Sequence, residues 1–248
     1  PFFQAPDRVY SLLLCSFIGL LFGFGGYLLD WWHWGWAIPF SLVLALVAWI
    51  LVARRFARRL QPAMAQVQKQ MEAGLWAPAM QSLADLLPMG KWIPMLRGQV
   101  LAQMGMLAYH SGDNEEAVRL LTGASLRAAD AKLLLACIHW RKSDQKRALE
   151  VLQLAAAVNK KHALLHNTYA WMLHKAERAD DAQAALAAFL KRDAGNSPTK
   201  DNLLRLQNRT RMSMQAFDMH WYALGLERPP QAMGTLRRAP KGFREPPK

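Results

Sequence analysis

The sequence predicts an all-α protein in which a two-span transmembrane helical hairpin is followed by an α-solenoid of helical repeats. Apolar residues dominate the stretch from Val9 to Ala53, which contains no Lys or Arg. After this stretch, apolar residues recur at positions i, i+3, i+4 and i+7, which is the period of an amphipathic helix. The later sequence also resembles itself at a spacing of roughly 34 residues, as expected for stacked helical repeats.

Two apolar segments account for the predicted hairpin. Val9–Leu29 is uncharged and, at about 1.5 Å per helical residue, would span about 31 Å, the thickness of a bilayer's hydrocarbon core. Ala37–Ala53 is shorter and lies near the lower limit for a spanning helix. Four tryptophans in the short connection match the aromatic belt of a membrane interface: Trp31, Trp32, Trp34 and Trp36.

Basic residues set the expected orientation of the hairpin. The Trp-rich connection has no Lys or Arg, whereas four arginines directly follow the second segment: Arg54, Arg55, Arg58 and Arg59. The positive-inside rule therefore places both termini and the repeats in the cytoplasm. We expect the arginines to contact anionic lipid of the inner leaflet.

Small residues predict how the two spans pack. Gly19 and Gly23 form a G-x-x-x-G pair that Gly26 extends, and small residues let membrane helices approach closely. The facing small residues of the second span are Ala37, Ser41 and Ala45. Folding the hairpin places Gly19 near Ala45, Gly23 near Ser41 and Gly26 near Ala37. A homo-oligomer through the same glycine face is the alternative.

The region after the hairpin resembles the tetratricopeptide repeat family. In the segment 101–125, Met104 and Gly105 match the family's Leu-Gly pair, and Ala117 matches its small second-helix residue. The same register recurs with alanines at 79, 148 and 182, so the four alanines are spaced 38, 31 and 34 residues apart. The resemblance covers about 60–190 and implies four helix pairs. A generic helical bundle is the alternative fold.

Five regions are expected along the chain: an N-terminal cytoplasmic segment 1–8, the hairpin 9–53, the repeats 54–194, capping helices 195–227 and a basic Pro-rich tail 228–248. Ser197 and Pro198 mark a helix start, because Ser caps helices well and Pro suits the first helical position. This capping helix is expected to reach about Met214. A further short helix, Met214–Leu226, is expected to dock on the repeats.

In tetratricopeptide arrays the first helix of each repeat lines a concave groove. The resemblance therefore assigns ten groove residues here: Gln99, Met106, Tyr109, His110, Trp140, Arg141, Asn167, Trp171, His174 and Lys175. Aromatic rings beside cations and an amide suit an extended peptide with acidic side chains. The alternative is that some of these aromatic residues pack between repeats or under the Met214–Leu226 helix.

Sequence motifs for catalysis or metal binding are missing. There is no Gly-rich phosphate loop, no H-E-x-x-H and no nucleophile elbow. The cysteines, Cys15 and Cys137, are too few for a disulfide framework, and Cys137 lies in an apolar run that predicts a buried thiol. His162 and His166 have i, i+4 spacing but no evident third ligand. We expect no enzyme activity, cofactor or metal.

The net charge of +13 has several candidate targets. Acidic protein partners and anionic lipid suit a charge spread over helices, whereas nucleic acid would require a binding motif that is missing. We expect a scaffold on the bacterial inner membrane that recruits protein partners. The layout resembles HemY-type inner-membrane proteins of tetrapyrrole metabolism and the repeat-bearing accessory subunit of Pel-type exopolysaccharide secretion. A regulatory or substrate-binding subunit of a membrane enzyme, centred on His110, Arg141 and His174, is the alternative.

Overall fold

The part of the chain that the structure describes is helical. This computed structural model describes residues 16–21, 25, 34–93 and 95–228, without the side chains of residues 34–38, 40, 53, 56, 57 and 59. Every regular element in these residues is an α- or 3-10 helix. The chain divides into two compact units, Pro1–Val100 and Leu101–Lys248.

The first unit contains α1, described at 16–21 and 25, together with α2 (Trp34–Glu72), α3 (Trp76–Ala84) and a 3-10 helix (Leu87–Lys91). The unit boundary falls within α4 (Leu96–His110). The remaining helices of the second unit are α5 (Asn114–Thr122), α6 (Ala129–Arg141), α7 (Gln145–Val158), α8 (Ala163–Lys175), α9 (Ala179–Leu190), α10 (Ser197–Gln207) and α11 (Asp218–Tyr222), with a 3-10 turn at Gln215–Phe217.

Helix α2 crosses the expected boundary between the hairpin 9–53 and the repeats 54–194. It runs continuously from Trp34 to Glu72 and contains Pro39 and Pro62, while no glycine lies between Ala53 and Glu72. Among the described residues, no helix combines the length and hydropathy that crossing a membrane requires. The predicted two-span hairpin is therefore not found in this part of the chain, and most of Val9–Leu29 lies outside it.

Four helix pairs share one sequence register, as the repeat resemblance predicts. The second helix of each pair carries an alanine at its fourth position, and all four are 0% exposed: Ala79, Ala117, Ala148 and Ala182. Leucines four residues later are also 0% exposed: Leu83, Leu121, Leu152 and Leu186. This spacing places both residues on one helix face, so each second helix buries the same stripe.

In the last three pairs a small residue lies twelve positions before the alanine, whereas Val67 takes this place in the first pair. Gly105 holds this place in α4, and a Cβ added there would lie 2.6 Å from Cγ of Leu121. Ala136 and Ala170 hold the same place in α6 and α8 and are fully buried. In the second unit, α5 packs on α6, α6 on α7, α7 on α8, α8 on α9 and α9 on α10. These contacts form an α-solenoid.

The turn inside each pair adopts the same backbone conformation. The residue five positions before the key alanine has a positive φ in all four pairs: Gly74 (72°), Gly112 (93°), Ser143 (62°) and Glu177 (62°). This left-handed region favours glycine, so the last two pairs are strained at a point where the first two are not. The sequence marks this turn only where glycine is present.

Side-chain caps begin four of the described helices, namely α5, α7, α8 and α10. The Asp113 carboxylate accepts from the Glu116 amide at 3.0 Å, and Asp144 accepts from the Arg147 amide at 3.2 Å. The predicted cap at Ser197 is instead made by Asn196, which accepts from the Thr199 amide at 3.1 Å and leaves Ser197 inside α10. That helix ends at Gln207 rather than near Met214. The predicted Met214–Leu226 helix is only a 3-10 turn followed by the five residues of α11.

Candidate functional site

The candidate site is a row of rings and cations on the first helices of the last three pairs. We call Tyr109, Trp140, Arg141, Trp171 and Lys175 the aromatic–cation row. Tyr109 lies near the end of α4, Trp140 and Arg141 end α6, and Trp171 and Lys175 lie in the last turns of α8. The structure thus brings five of the predicted groove residues to equivalent ends of their helices.

The first part of this row is a cation over a phenol ring. The Arg141 guanidinium carbon lies 5.3 Å from the centre of the Tyr109 ring, within the range of a cation–π interaction. Its Nε also donates to the Cys137 carbonyl at 3.4 Å. His110 is exposed beside Tyr109, with the two ring centres 5.8 Å apart. Arg141 therefore joins α6 to α4 while remaining exposed to solvent.

The second part is a pair of indoles with a lysine above one of them. The ring centres of Trp140 and Trp171 are 6.1 Å apart and tilted by 58°. Lys175 Nζ lies 5.5 Å from the centre of the Trp171 ring. Trp140 is half-buried and Lys175 is exposed, whereas Trp171 is buried. In the part of the chain described, neither Lys175 nor Arg141 forms an ion pair with a carboxylate.

Asn167 cannot serve the groove as predicted, because its side chain is fully buried and hydrogen-bonded. Its Nδ2 donates to the Thr199 hydroxyl at 2.7 Å and to the Ala163 carbonyl at 2.9 Å. Its Oδ1 accepts from Asn202 Nδ2 at 2.9 Å, and the Asn202 amide oxygen in turn accepts from the Ser213 backbone at 2.8 Å. Asn167 therefore holds α10 on α8. Buried polar residues on the apolar face of α10 are the sequence signal of this network.

The remaining predicted groove residues are dispersed. Gln99 is exposed in the first turn of α4, within the first unit, and Met106 is half-buried in the same helix. His174 is half-buried near the end of α8, and its Nδ1 is buried without a hydrogen-bond partner in the described structure.

The polar contact of Trp171 is with Glu227, a residue that the sequence did not predict for the groove. The Glu227 carboxylate accepts from Trp171 Nε1 at 3.2 Å and from Trp221 Nε1 at 2.9 Å. The centres of the two indole rings lie 5.3 Å apart in an edge-to-face arrangement. The alternative in which the C-terminal segment covers part of the groove thus holds for Trp171. A buried indole requires an acceptor, and this need is the only sequence signal for Glu227.

The histidine pair considered for metal binding has other partners. His162 caps α8, because its Nδ1 accepts from the Leu165 amide at 3.2 Å, and its Nε2 faces Asp130 at 3.2 Å. This hydrogen bond lowers the pKa of Asp130. His166 Nε2 donates to the Asn159 carbonyl at 3.2 Å, and burial lowers its pKa. Within the described residues no group of three His, Cys, Asp or Glu side chains could hold a metal.

Cys137 lies in the middle of α6 and is fully buried. Burial raises the pKa of its thiol to about 12, because a thiolate would lose its hydration there. A thiol in this state is a poor nucleophile and a poor metal ligand.

The predicted hairpin residues are only partly described. A Cβ added to Gly19 would lie 2.7 Å from the Ser41 carbonyl oxygen and 2.9 Å from the Ala45 Cβ, so α1 and α2 meet closely at this glycine. Gly23, Gly26 and the side chain of Ala37 lie outside the described residues. Three of the four arginines are exposed on α2, namely Arg54, Arg55 and Arg58, and the side chain of Arg59 is not described.

Comparison with known proteins gives structural neighbours only. No protein-family model matches the sequence, and no curated protein matches it. Two crystal structures of MamA are similar to this chain, with TM-scores of 0.45 and 0.46 and sequence identities of 17% and 16%. These matches cover 58% and 60% of this chain and 83% and 80% of the MamA chains. At such values the helical-repeat architecture rests on the register of this chain's own helix pairs.

Proposed function

We propose that this chain is a membrane-anchored scaffold whose repeats hold a peptide segment of a partner protein on the cytoplasmic side of the bacterial inner membrane. The single observation that carries the proposal is the aromatic–cation row, with two exposed cations held over rings. The proposal assigns no chemical step to this chain. It requires no cofactor.

The row suits an acidic extended peptide for physical reasons. Arg141 and Lys175 each rest on an aromatic face, which orients the cation without neutralising its charge. Rings beside them offer rigid apolar area at a small cost in side-chain entropy. Carboxylates of the peptide would gain a charge-assisted hydrogen bond at each cation. The solenoid supplies a rigid frame for this surface.

Charge reversal of the row tests the groove. Peptides of about fifteen residues would be selected from a random displayed library on the full chain in detergent. We expect acidic sequences with an aromatic residue to be enriched, and the double variant Arg141→Glu/Lys175→Glu to lose their binding at least tenfold. The double variant Lys146→Glu/Lys160→Glu changes the charge equally at exposed positions outside the row and should keep the binding. Equal losses in both variants would contradict the groove.

Exposed apolar side chains on α2 support the proposed anchor. Six large apolar side chains of this helix are at least 40% exposed: Leu42, Val43, Leu46, Val47, Trp49 and Leu51. Such a continuous apolar surface indicates contact with lipid or with another protein. Arg54, Arg55 and Arg58 follow directly and would lie at an anionic inner leaflet. The Gly19 contact with Ser41 and Ala45 would pack the hairpin, with a homo-oligomer as the alternative use of the glycines.

A matched pair of leucines tests the anchor. Leu46 on α2 and Leu154 on α7 are 51% and 46% exposed, so a glutamate is tolerated sterically at both. The full chain would be reconstituted into vesicles of phosphatidylethanolamine and phosphatidylglycerol and separated by flotation. We expect Leu46→Glu to lower the floating fraction strongly and Leu154→Glu to leave it unchanged. A floating Leu46→Glu variant would argue that α2 contacts protein instead.

The pathway is a narrower proposal that rests on layout. HemY-type proteins and the Pel-type accessory subunit combine two spans, a basic junction and repeats, so tetrapyrrole and exopolysaccharide assemblies are the first candidates for partners. A regulatory or substrate-binding role in such an assembly would use the same groove. Crosslinking through a photoreactive residue at Trp140 in native membranes would name the partner and separate these two pathways.

A further inference from the structure

The segment 212–227 is packed onto the last pair of the array at the end of the aromatic–cation row. Trp221 is fully buried, and Met214 and Leu224 are buried in the same apolar cluster as Trp171 and Met172. This segment therefore occupies, from within the chain, a place that a partner peptide would otherwise contact.

Polar contacts hold this segment at two places, the Ser213 backbone N–H on Asn202 of α10 and the exposed carboxylate of Glu227. Glu227 accepts one hydrogen bond from each of the two indoles, Trp171 on the array and Trp221 on the segment. Both donors point to one residue, which remains exposed to solvent. In a complex with a partner peptide, a carboxylate of that peptide would replace Glu227 at Trp171 Nε1, while Trp221 would leave with its own segment.

The segment is built more like a bound peptide than like a repeat helix. Its regular structure is limited to a three-residue 3-10 turn and the five residues of α11. Asp218 and Gly225 both have positive φ, at 49° and 68°. Segments with little internal hydrogen bonding open at a lower free energy than packed helices. A partner that displaces the segment must replace the buried contacts of Trp221, Met214 and Leu224.

We propose that segment 212–227 competes with partner peptides for the groove. It is released when a partner peptide supplies an aromatic ring and a carboxylate in place of Trp221 and Glu227. The partner would present a large aromatic side chain for the slot of Trp221 and a carboxylate for the indole N–H of Trp171. Lys175, on the Trp171 ring, favours such an anionic ligand. This inference rests on the proposed peptide-binding function and names the chemistry of its ligand.

The test uses the chain's own segment as the probe. A fluorescent synthetic peptide of residues 211–228 would be titrated into the full chain in detergent and followed by anisotropy. The wild type should bind weakly, because its site is already filled and the apparent affinity falls with the open fraction. Glu227→Ala should raise the affinity for the added peptide roughly tenfold. Glu150→Ala, at an exposed position on α7, is the matched control and should behave as wild type.

A second pair of measurements guards against loss of folding. Trp221→Phe keeps a ring in the slot but removes one of the two donors to Glu227. It should also raise the affinity for the added peptide, and it replaces Glu227→Ala in the test if that variant does not fold. An added peptide with Gln in place of the glutamate should bind more weakly than the native peptide. If both chain variants lower only the melting temperature and bind the peptide as wild type does, segment 212–227 is a structural cap. Retained binding of acidic library peptides would then still support the proposed function.

Discussion

Helices α2 and α8 open their pairs in the same register, yet they treat apolar surface in opposite ways. Helix α8 buries Leu165, Met172 and Leu173 against its neighbours. The N-terminal half of α2 leaves Leu42 and Leu46 exposed, at 67% and 51%, although both are as apolar as the buried residues of α8. An exposed apolar surface of this size marks a site of contact with another protein or with a membrane.

The difference lies in the elements that pack on each helix. Helix α8 is covered by α9, α10 and segment 212–227, so its surface is closed by the chain itself. Helix α3 packs on α2 through Ala79 and Leu83, near Val67 in the C-terminal half of α2. The apolar N-terminal half of α2 lies outside this contact. One helix thus combines a repeat-like half with a half whose large apolar side chains are exposed. The array obeys the rules of a soluble core, and the start of α2 does not.

The largest expected effect is on the free energy of unfolding, and truncating one leucine in each region compares the two regions directly. Leu152→Ala should lower the free energy of unfolding by about 2–5 kcal/mol, because the side chain is fully buried and leaves a cavity in α7. Leu46→Ala should change it by less than about 0.5 kcal/mol, as exposed positions usually do. Urea unfolding in detergent, followed by circular dichroism, measures both. A loss above about 2 kcal/mol for Leu46→Ala would show that α2 is packed against protein.

A smaller effect is the pH dependence of stability that the buried His166 gives to the repeats. Burial lowers the pKa of His166, so the unfolded chain binds a proton before the folded chain does, and stability is lost as the pH falls below about 6.5. His166→Gln keeps a donor for the Asn159 carbonyl but does not titrate in this range, so its stability should fall less between about pH 7.5 and 5. His110→Gln, at an exposed position, is the control and should follow wild type. Parallel curves for wild type and His166→Gln would contradict the assignment.

The smallest expected effect comes from placing glycine at the turn of the fourth pair, as in the first two pairs. Glu177 has a φ of 62° where the first two pairs have glycine, so Glu177→Gly should stabilise the chain by about 0.5–1 kcal/mol. Glu150→Gly, in the interior of α7, should instead destabilise it by about 1 kcal/mol. Thermal unfolding of both variants measures the two signs. A destabilising Glu177→Gly would mean that the side chain stabilises the turn in another way.

The repeat register could be predicted from sequence because it depends on local spacing. Ala79, Ala117, Ala148 and Ala182 are small at the one place where two helices cross closely, and their periodicity survives changes in turn length. Helix ends were less predictable, since Asn196 and Ser197 are both good caps and only the backbone decides between them.

The site was harder to predict because its fate depends on distant partners. Asn167 has the chemistry of a peptide-binding amide, but Thr199 and Asn202, more than thirty residues later, bind its Nδ2 and Oδ1. The indole nitrogen of Trp171 is bonded to Glu227, which is 56 residues away along the chain. Contacts at this separation leave no periodic trace in the sequence. Arg141 over Tyr109 joins neighbouring first helices, and the repeat register predicts both as groove residues.

The unbroken course of α2 also fixes a rotational phase. Each residue of an α-helix turns the chain by about 100°, so Val67 keeps a set angular position relative to Leu46. One residue inserted after Arg58 would rotate the packed face by about 100° against the exposed apolar face, whereas seven would return it to within about 20°. If a bilayer holds the apolar half, the continuous helix fixes the rotation of its C-terminal half about the helix axis. It therefore sets which side of the α2–α3 pair faces the membrane.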